Sequence, residues 1–177
     1  MKNLKILRIF PATLVCLLIL TSWAPANNIS KDVVKVGFIF NFLKFVEWPN
    51  DDTNDGSLQV CALGRTPLGG NLAMMQSRTV QGREIRVSQS SFLNELFGCH
   101  VLFIADSEKN RVKEILASVK EKTVLTVSDI PDFIIAGGMI GLNVVEDRIR
   151  FEINNAAAQH SNLHISSQLL NLALKVI

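Results

Sequence analysis

Between residues 30 and 48 the apolar positions run most of the way round a helical wheel. Val34, Val36, Phe38, Ile39, Phe42, Leu43, Phe45 and Val46 cover well over half the circumference, a wider stripe than a surface helix needs. The pattern predicts a helix from Ser30 or Lys31 to about Trp48, stopped by Pro49. Its narrow remaining face carries Gly37, Asn41, Lys44 and Glu47, and also Phe40. Such a helix is either central to a core or partly committed to a partner.

After a polar loop, NDDTNDGS, the period changes. Residues 58–63 read as a strand that ends at Gly64, and TPLGGN reads as a turn into a short helix around 72–76. Residues 84–88 alternate as a second strand, and 92–96 form a short helix. HVLFIA (100–105) is continuously apolar, as a strand buried on both faces should be. An amphipathic helix over 108–119, a buried strand over 123–127 and one helical turn over 132–136 follow. Two strands, 139–145 and 148–153, are then joined by Glu146-Asp147, a two-residue hairpin turn. In the second of these, RIRFEI, Ile149, Phe151 and Ile153 face one way, and Arg148, Arg150 and Glu152 face the other. Asn154 or Asn155 caps a last helix running to about Leu174. Alternating strands and helices predict a single α/β domain. Its sheet is parallel or mixed with helices on both faces, and an antiparallel hairpin and a helix close the chain. The hairpin's second strand is an edge, and its outward charges either guard that edge from unwanted pairing or belong to a contact surface.

The N-terminus changes what counts as the working chain. Lys2, Lys5 and Arg8 precede an apolar run over 9–20, and Ala24-Pro25-Ala26 supplies the small residues of a cleavage site. Residues 1–26 therefore read as a secretory signal peptide cut after Ala26, which places the product in the periplasm. The run is short for a membrane span. Val15 is too bulky for the position before a lipidated cysteine, so Cys16 is expected to leave with the peptide. The whole chain has 18 Lys+Arg against 16 Asp+Glu. The peptide removes three basic residues and no acidic one, so the mature chain is close to neutral and carries no nucleic-acid footprint. About 150 residues remain, enough for one core and one domain over 30–177 with no membrane span of its own.

Candidate chemistry is thin. Cys61 and Cys99 remain after cleavage, and in an oxidising compartment an even pair reads as a disulfide, with two buried thiols as the alternative. His160 and His164 have metal-ligand spacing on the predicted last helix, but no glutamate or third ligand accompanies them, so no metal is assigned. The glycines of TPLGGN lack a phosphate-binding spacing. Ser128-Asp129 lies at a strand end without a nucleophile elbow and reads as a cap. Nothing assembles into a catalytic set, and no cofactor is implied. Arg150 and Glu152 on the strand, with Phe40 on the helix, offer charge and an aromatic anchor, and are the candidates for a partner contact.

The order of FIFNFLKFVEWP (38–49), CALG (61–64), CHVLFIA (99–105), LTVSD (125–129), GGMIGL (137–142), RFEINNAAA (150–158) and LHISSQLLNLA (163–173) resembles the YfiR-like family of small periplasmic proteins. The resemblance covers the chain from about Ser30 onward. It implies a non-enzymatic regulator that binds the periplasmic region of an inner-membrane diguanylate cyclase and represses it. An outer-membrane lipoprotein would sequester the regulator, and cyclic di-GMP and surface attachment would rise. It also implies that Cys61 and Cys99 bridge, whereas a second pair that the family's type member has toward the C-terminus has no counterpart here. Monomer and homodimer both stay open. The alternative is a periplasmic domain that senses a small molecule and reports to another membrane receptor.

Overall fold

The computed structural model describes residues 30–49 and 56–177; the expected signal peptide and most of the NDDTNDGS loop lie outside them. The first helix, α1 (Lys31–Phe45), starts where Ser30 accepts a hydrogen bond from the Asp32 N–H. Asp32 in its first turn and Lys44 in its last complement the helix dipole. The helix ends three residues short of Trp48. At Val46 the chain becomes extended, and β1 (Val46–Glu47) pairs antiparallel with β9 (His164–Ile165). Ser166 also donates its N–H to the Phe45 carbonyl. A distant strand thus captures the backbone before Pro49 stops it.

Seven strands form the main sheet: β2 (Ser57–Leu63), β3 (Thr79–Val80), β4 (Arg83–Ser90), β5 (Val101–Ile104), β6 (Leu125–Ser128), β7 (Ile140–Val145) and β8 (Arg148–Ile153). Their order is β3-β4-β2-β5-β6-β7-β8. The strands from β4 to β7 run parallel, and β3 and β8 are antiparallel edges. The central strands alternate between two cores. Val60, Ala62, Val101 and Phe103 face α1 and α2 (Leu68–Leu72). Cys61, Leu63, Leu102 and Ile104 face α3 (Val112–Val119). The fold is therefore the mixed α/β domain that the alternating pattern predicts, with helices on both faces.

The greasy α1 lies in the first core. Ile39, Phe42 and Leu43 are fully buried, and the Phe38 and Phe42 rings sit 5.6 and 5.3 Å from that of Phe151 on β8. Phe38, Phe40 and Phe45 are half-buried, and Val34 is exposed.

The single C-terminal helix expected over 154–174 is not formed. It is divided into α4 (Asn155–His160), β9 and α5 (Ser167–Leu170). Asn154 caps α4 by accepting from the Ala157 N–H. At its other end Asn162 adopts φ 55°. The Leu163 N–H then reaches back to the Ala158 carbonyl, and the Asn162 N–H to that of Gln159. This is a Schellman termination, with Leu163 and Ala158 buried together beneath it. The tail finally runs back along β8, with Leu174 N–H bonded to Phe151 O, Ile153 N–H to Lys175 O, and Ile177 N–H to Ile153 O.

Cys61 on β2 and Cys99 before β5 are joined, their Cα atoms 5.8 Å apart and 38 residues apart in the chain. Closing a loop of that length restricts the unfolded chain by about 4 kcal/mol in the chain-entropy picture. The Cys61→Ala/Cys99→Ala variant is therefore expected to melt at lower temperature than the parent. The parent in reductant should show the same loss, and the variant should not respond to reductant. A variant as stable as the oxidised parent would show that the bridge adds nothing.

Candidate functional site

The hairpin is set by its turn. Glu146 and Asp147 both take positive φ, 47° and 61°, which matches a two-residue turn to the twist of the strands. The register runs from Val145 opposite Arg148 to Ile140 opposite Ile153. Ile149, Phe151 and Ile153 are buried on the α1 side, while Arg148 and Arg150 are exposed and Glu152 is half-buried on the other. Across the ladder these three face Val145, Asn143 and Gly141. Gly141 lies under Ile134 and Phe133, so the turn over 131–138 covers the Glu152 end of this face. Gly138 makes that turn possible, because the Phe133 ring occupies the space a side chain would need. Toward the turn, Arg148, Arg150 and Val145 are exposed and Asn143 is half-buried.

The edge of β8 is protected in a second way. Its C-terminal half is hydrogen-bonded by the 174–177 tail. At residues 151–153 the tail, whatever the charges do, already occupies the edge that another strand would need.

Phe40 is elsewhere. Its ring is half-buried, with the Lys44 ammonium 4.5 Å and the Arg78 guanidinium 5.8 Å from its centre. Arg78 leads into β3, at the opposite edge of the sheet from β8. Six strand spacings separate those edges, roughly 29 Å. The structure brings Arg150 and Glu152 together and leaves Phe40 apart from them.

Other polar candidates are structural. The Ser128 hydroxyl donates to Ile104 O at 2.7 Å and accepts from the Ile130 N–H at 3.0 Å, so it closes the turn after β6 and does not cap a later helix. Asp129 instead holds Lys35 at 2.5 Å, a partly buried pair that ties α1 to the end of β6. His160 and His164 fall on α4 and β9, and their helical spacing is lost. Among the described residues no group of three His, Cys, Asp or Glu is placed to hold a metal ion. His100 is buried. Its Nδ1 accepts the Gln59 N–H, and its carbonyl accepts the Trp48 indole N–H.

The sequence reading missed an exposed aromatic pair, Phe92 at 62% and Phe97 at 79% accessibility. The pattern predicted a short helix over 92–96 and left Phe97 outside it. Only one 3-10 turn forms, Leu93–Glu95, and Gly98 at φ 61° then leads the chain to the bridged Cys99. The loop shares a shallow cavity of about 390 Å³ with α3.

Lys31 at the start of α1 reaches Asp147 at the hairpin tip, at 2.7 Å. The Lys31 hydrogen bond, and then its charge, hold the Asp147 carboxyl below its ordinary value of 3.8. A carboxyl lowered on folding stabilises the fold above its unfolded value, and that stabilisation is lost as pH falls through the folded value. A carbon-detected NMR titration should therefore place Asp147 below an ordinary aspartate. Lys31→Ala or high salt should return it to the ordinary range, whereas an unchanged titration in Lys31→Ala would remove the pair as the cause.

A family profile described as YfiR/HmsC-like matches residues 32–174. Among solved structures, the chain is similar to the crystal structure of a conserved domain protein from Vibrio cholerae O1 biovar El Tor strain N16961. The TM-score is 0.55 at 11% identity, covering 84% of this chain and 61% of that one. At that identity the likeness is one of fold, and the chain spans about three fifths of that protein.

Proposed function

The chain belongs to the YfiR/HmsC-like family, and we propose that it represses a membrane-anchored diguanylate cyclase by binding that enzyme's periplasmic region. The family is periplasmic, regulatory and non-catalytic, and acts in cyclic di-GMP signalling. Among the described residues no helix is long and apolar enough to cross a membrane. The observation that carries the proposal is the uncovered face of the β7–β8 hairpin. It presents Arg148 and Arg150 beside Asn143 and Val145 on strands held from behind by α1. Arginine on a rigid support, next to apolar surface, suits a hot spot. In this reading Arg150 meets the cyclase and half-buried Glu152 borders the contact at the covered end of the face, an outer-membrane lipoprotein competes for the regulator, and Phe40 belongs to a separate contact region.

The test uses Arg150→Ala with Glu152→Ala, and Phe40→Ala alone, each checked by thermal melt. The double variant is expected to bind the cyclase's periplasmic domain with about 1–2 kcal/mol less free energy per anchor, and cells carrying it should accumulate cyclic di-GMP. A folded double variant that binds and represses normally would move the contact away from the hairpin. Retained binding by Phe40→Ala alone would limit the contact to the hairpin.

A second reading, a domain that senses a small molecule and reports to a different receptor, is favoured by a cleft of about 450 Å³ beside α3 and α4.

Export is part of the proposal. Mass spectrometry of the periplasmic fraction should give a mature N-terminus at Asn27, and a full-length membrane product would overturn it.

A further inference from the structure

The cleft between α3, the turn over 131–138 and α4 has the volume of a small-ligand site, about 450 Å³. Its walls are aliphatic, with Leu116 from α3 and Met139 ahead of β7, and no phenylalanine or tryptophan lines it. Its rim is basic. Lys113 and Lys120, seven residues apart, share one face of α3 and its end, and His160 stands at the end of α4. No aspartate or glutamate lines the cleft, and neither lysine has a carboxylate partner among the described residues. The interior adds a second signal. Thr126 is only 1% exposed, and its hydroxyl accepts the Met139 N–H at 3.0 Å. The hydroxyl proton has no acceptor among the described residues, so one buried donor is left for a ligand oxygen. Asn154, by contrast, is spent on the Ala157 N–H and the Ile134 carbonyl.

We propose that this cleft binds a small aliphatic carboxylate. The anion meets Lys113 and Lys120, the hydrocarbon body lies on Leu116 and Met139, and the Thr126 hydroxyl donates to a ligand oxygen. Aliphatic walls without a ring to stack on favour a chain over an aromatic body. The unpaired lysines favour an anion over a neutral or cationic one. The site gives the sensory reading a location and stands whether or not the cyclase contact does, because it is tested on the purified protein alone.

The probes are octanoate, 1-octanol, octylamine and 3-phenylpropionate, titrated into the oxidised mature protein by calorimetry with amide NMR shifts as a map. Octanoate is expected to bind saturably and to shift the amides of Leu116, Met139 and Ala157. Octanol and octylamine should bind at least tenfold more weakly, and 3-phenylpropionate more weakly than octanoate. Lys113→Gln with Lys120→Gln should weaken octanoate about tenfold. Ala117→Trp, on an exposed helix position that lines the cleft, should block it with the melting temperature preserved. If Ala117→Trp does not fold, Ala117→Leu serves the same test. The proposal fails if octanoate does not saturate, if octanol matches it, if the lysine variant binds as well, or if a folded Ala117 variant binds unchanged.

Discussion

The burial of α1 against one face of the sheet is the constraint on which the other elements depend. Ile39, Phe42 and Leu43 are inaccessible to water, and Phe38 and Phe42 grip Phe151 at the β8 edge. Fully burying such side chains is worth roughly 1.5–3 kcal/mol each, against which a surface ion pair counts for little. The helix also carries two ion pairs, the partly buried Lys35–Asp129 pair after β6 and the exposed Lys31–Asp147 pair at the hairpin tip. Its C-terminal end passes directly into β1, which pairs with β9. Because α1 closes the hairpin from behind, the opposite face of β7–β8 can stay uncovered without the edge strand coming loose.

What the sequence made legible follows periodicity. The helix start, the continuously apolar strands and the Glu146-Asp147 hairpin are local patterns, and the structure keeps them. The errors came where long-range pairing or a single residue decided the outcome. Val46 and Glu47 fit a helical wheel, but β9 offers them ladder partners at Ile165 and His164, far along the chain. In the C-terminal segment the apolar spacing continues past His160, while Asn162 takes the left-handed conformation that ends a helix. An asparagine after a serine was the available signal, and the periodicity outweighed it. The candidate site was legible in part. Alternation put Arg148, Arg150 and Glu152 on one face of β8 correctly. Nothing in local spacing reported that Phe40 lies toward the β3 edge, since that depends on the strand order.

The segmentation of the C-terminus has a structural consequence. A continuous helix would have left the outer edge of β8 bare. Instead α4 and α5 turn the chain so that residues 174–177 lie along that edge and take its backbone bonds. The tail's own side chains, Leu174, Val176 and Ile177, remain substantially exposed. Covering the edge with chain relieves Arg150 and Glu152 of the duty of blocking strand addition there.

Among the described residues no buried side-chain nitrogen or oxygen lacks a hydrogen-bond partner. Ser128 closes a turn, Thr126 receives the Met139 N–H, and the Ser161 hydroxyl reaches the Lys120 carbonyl. Ser128 and Ser161 spend their hydroxyl protons on holding loops in place, whereas Thr126 accepts one bond and keeps its proton for another acceptor. Such a scaffold can present a surface that is already ordered before a partner arrives. The β7–β8 face is well suited to that, because its strands are paired on one side, backed by aromatic packing and fastened at the turn. A partner that docks there orders few groups that are not already ordered, and the entropy cost of binding falls accordingly.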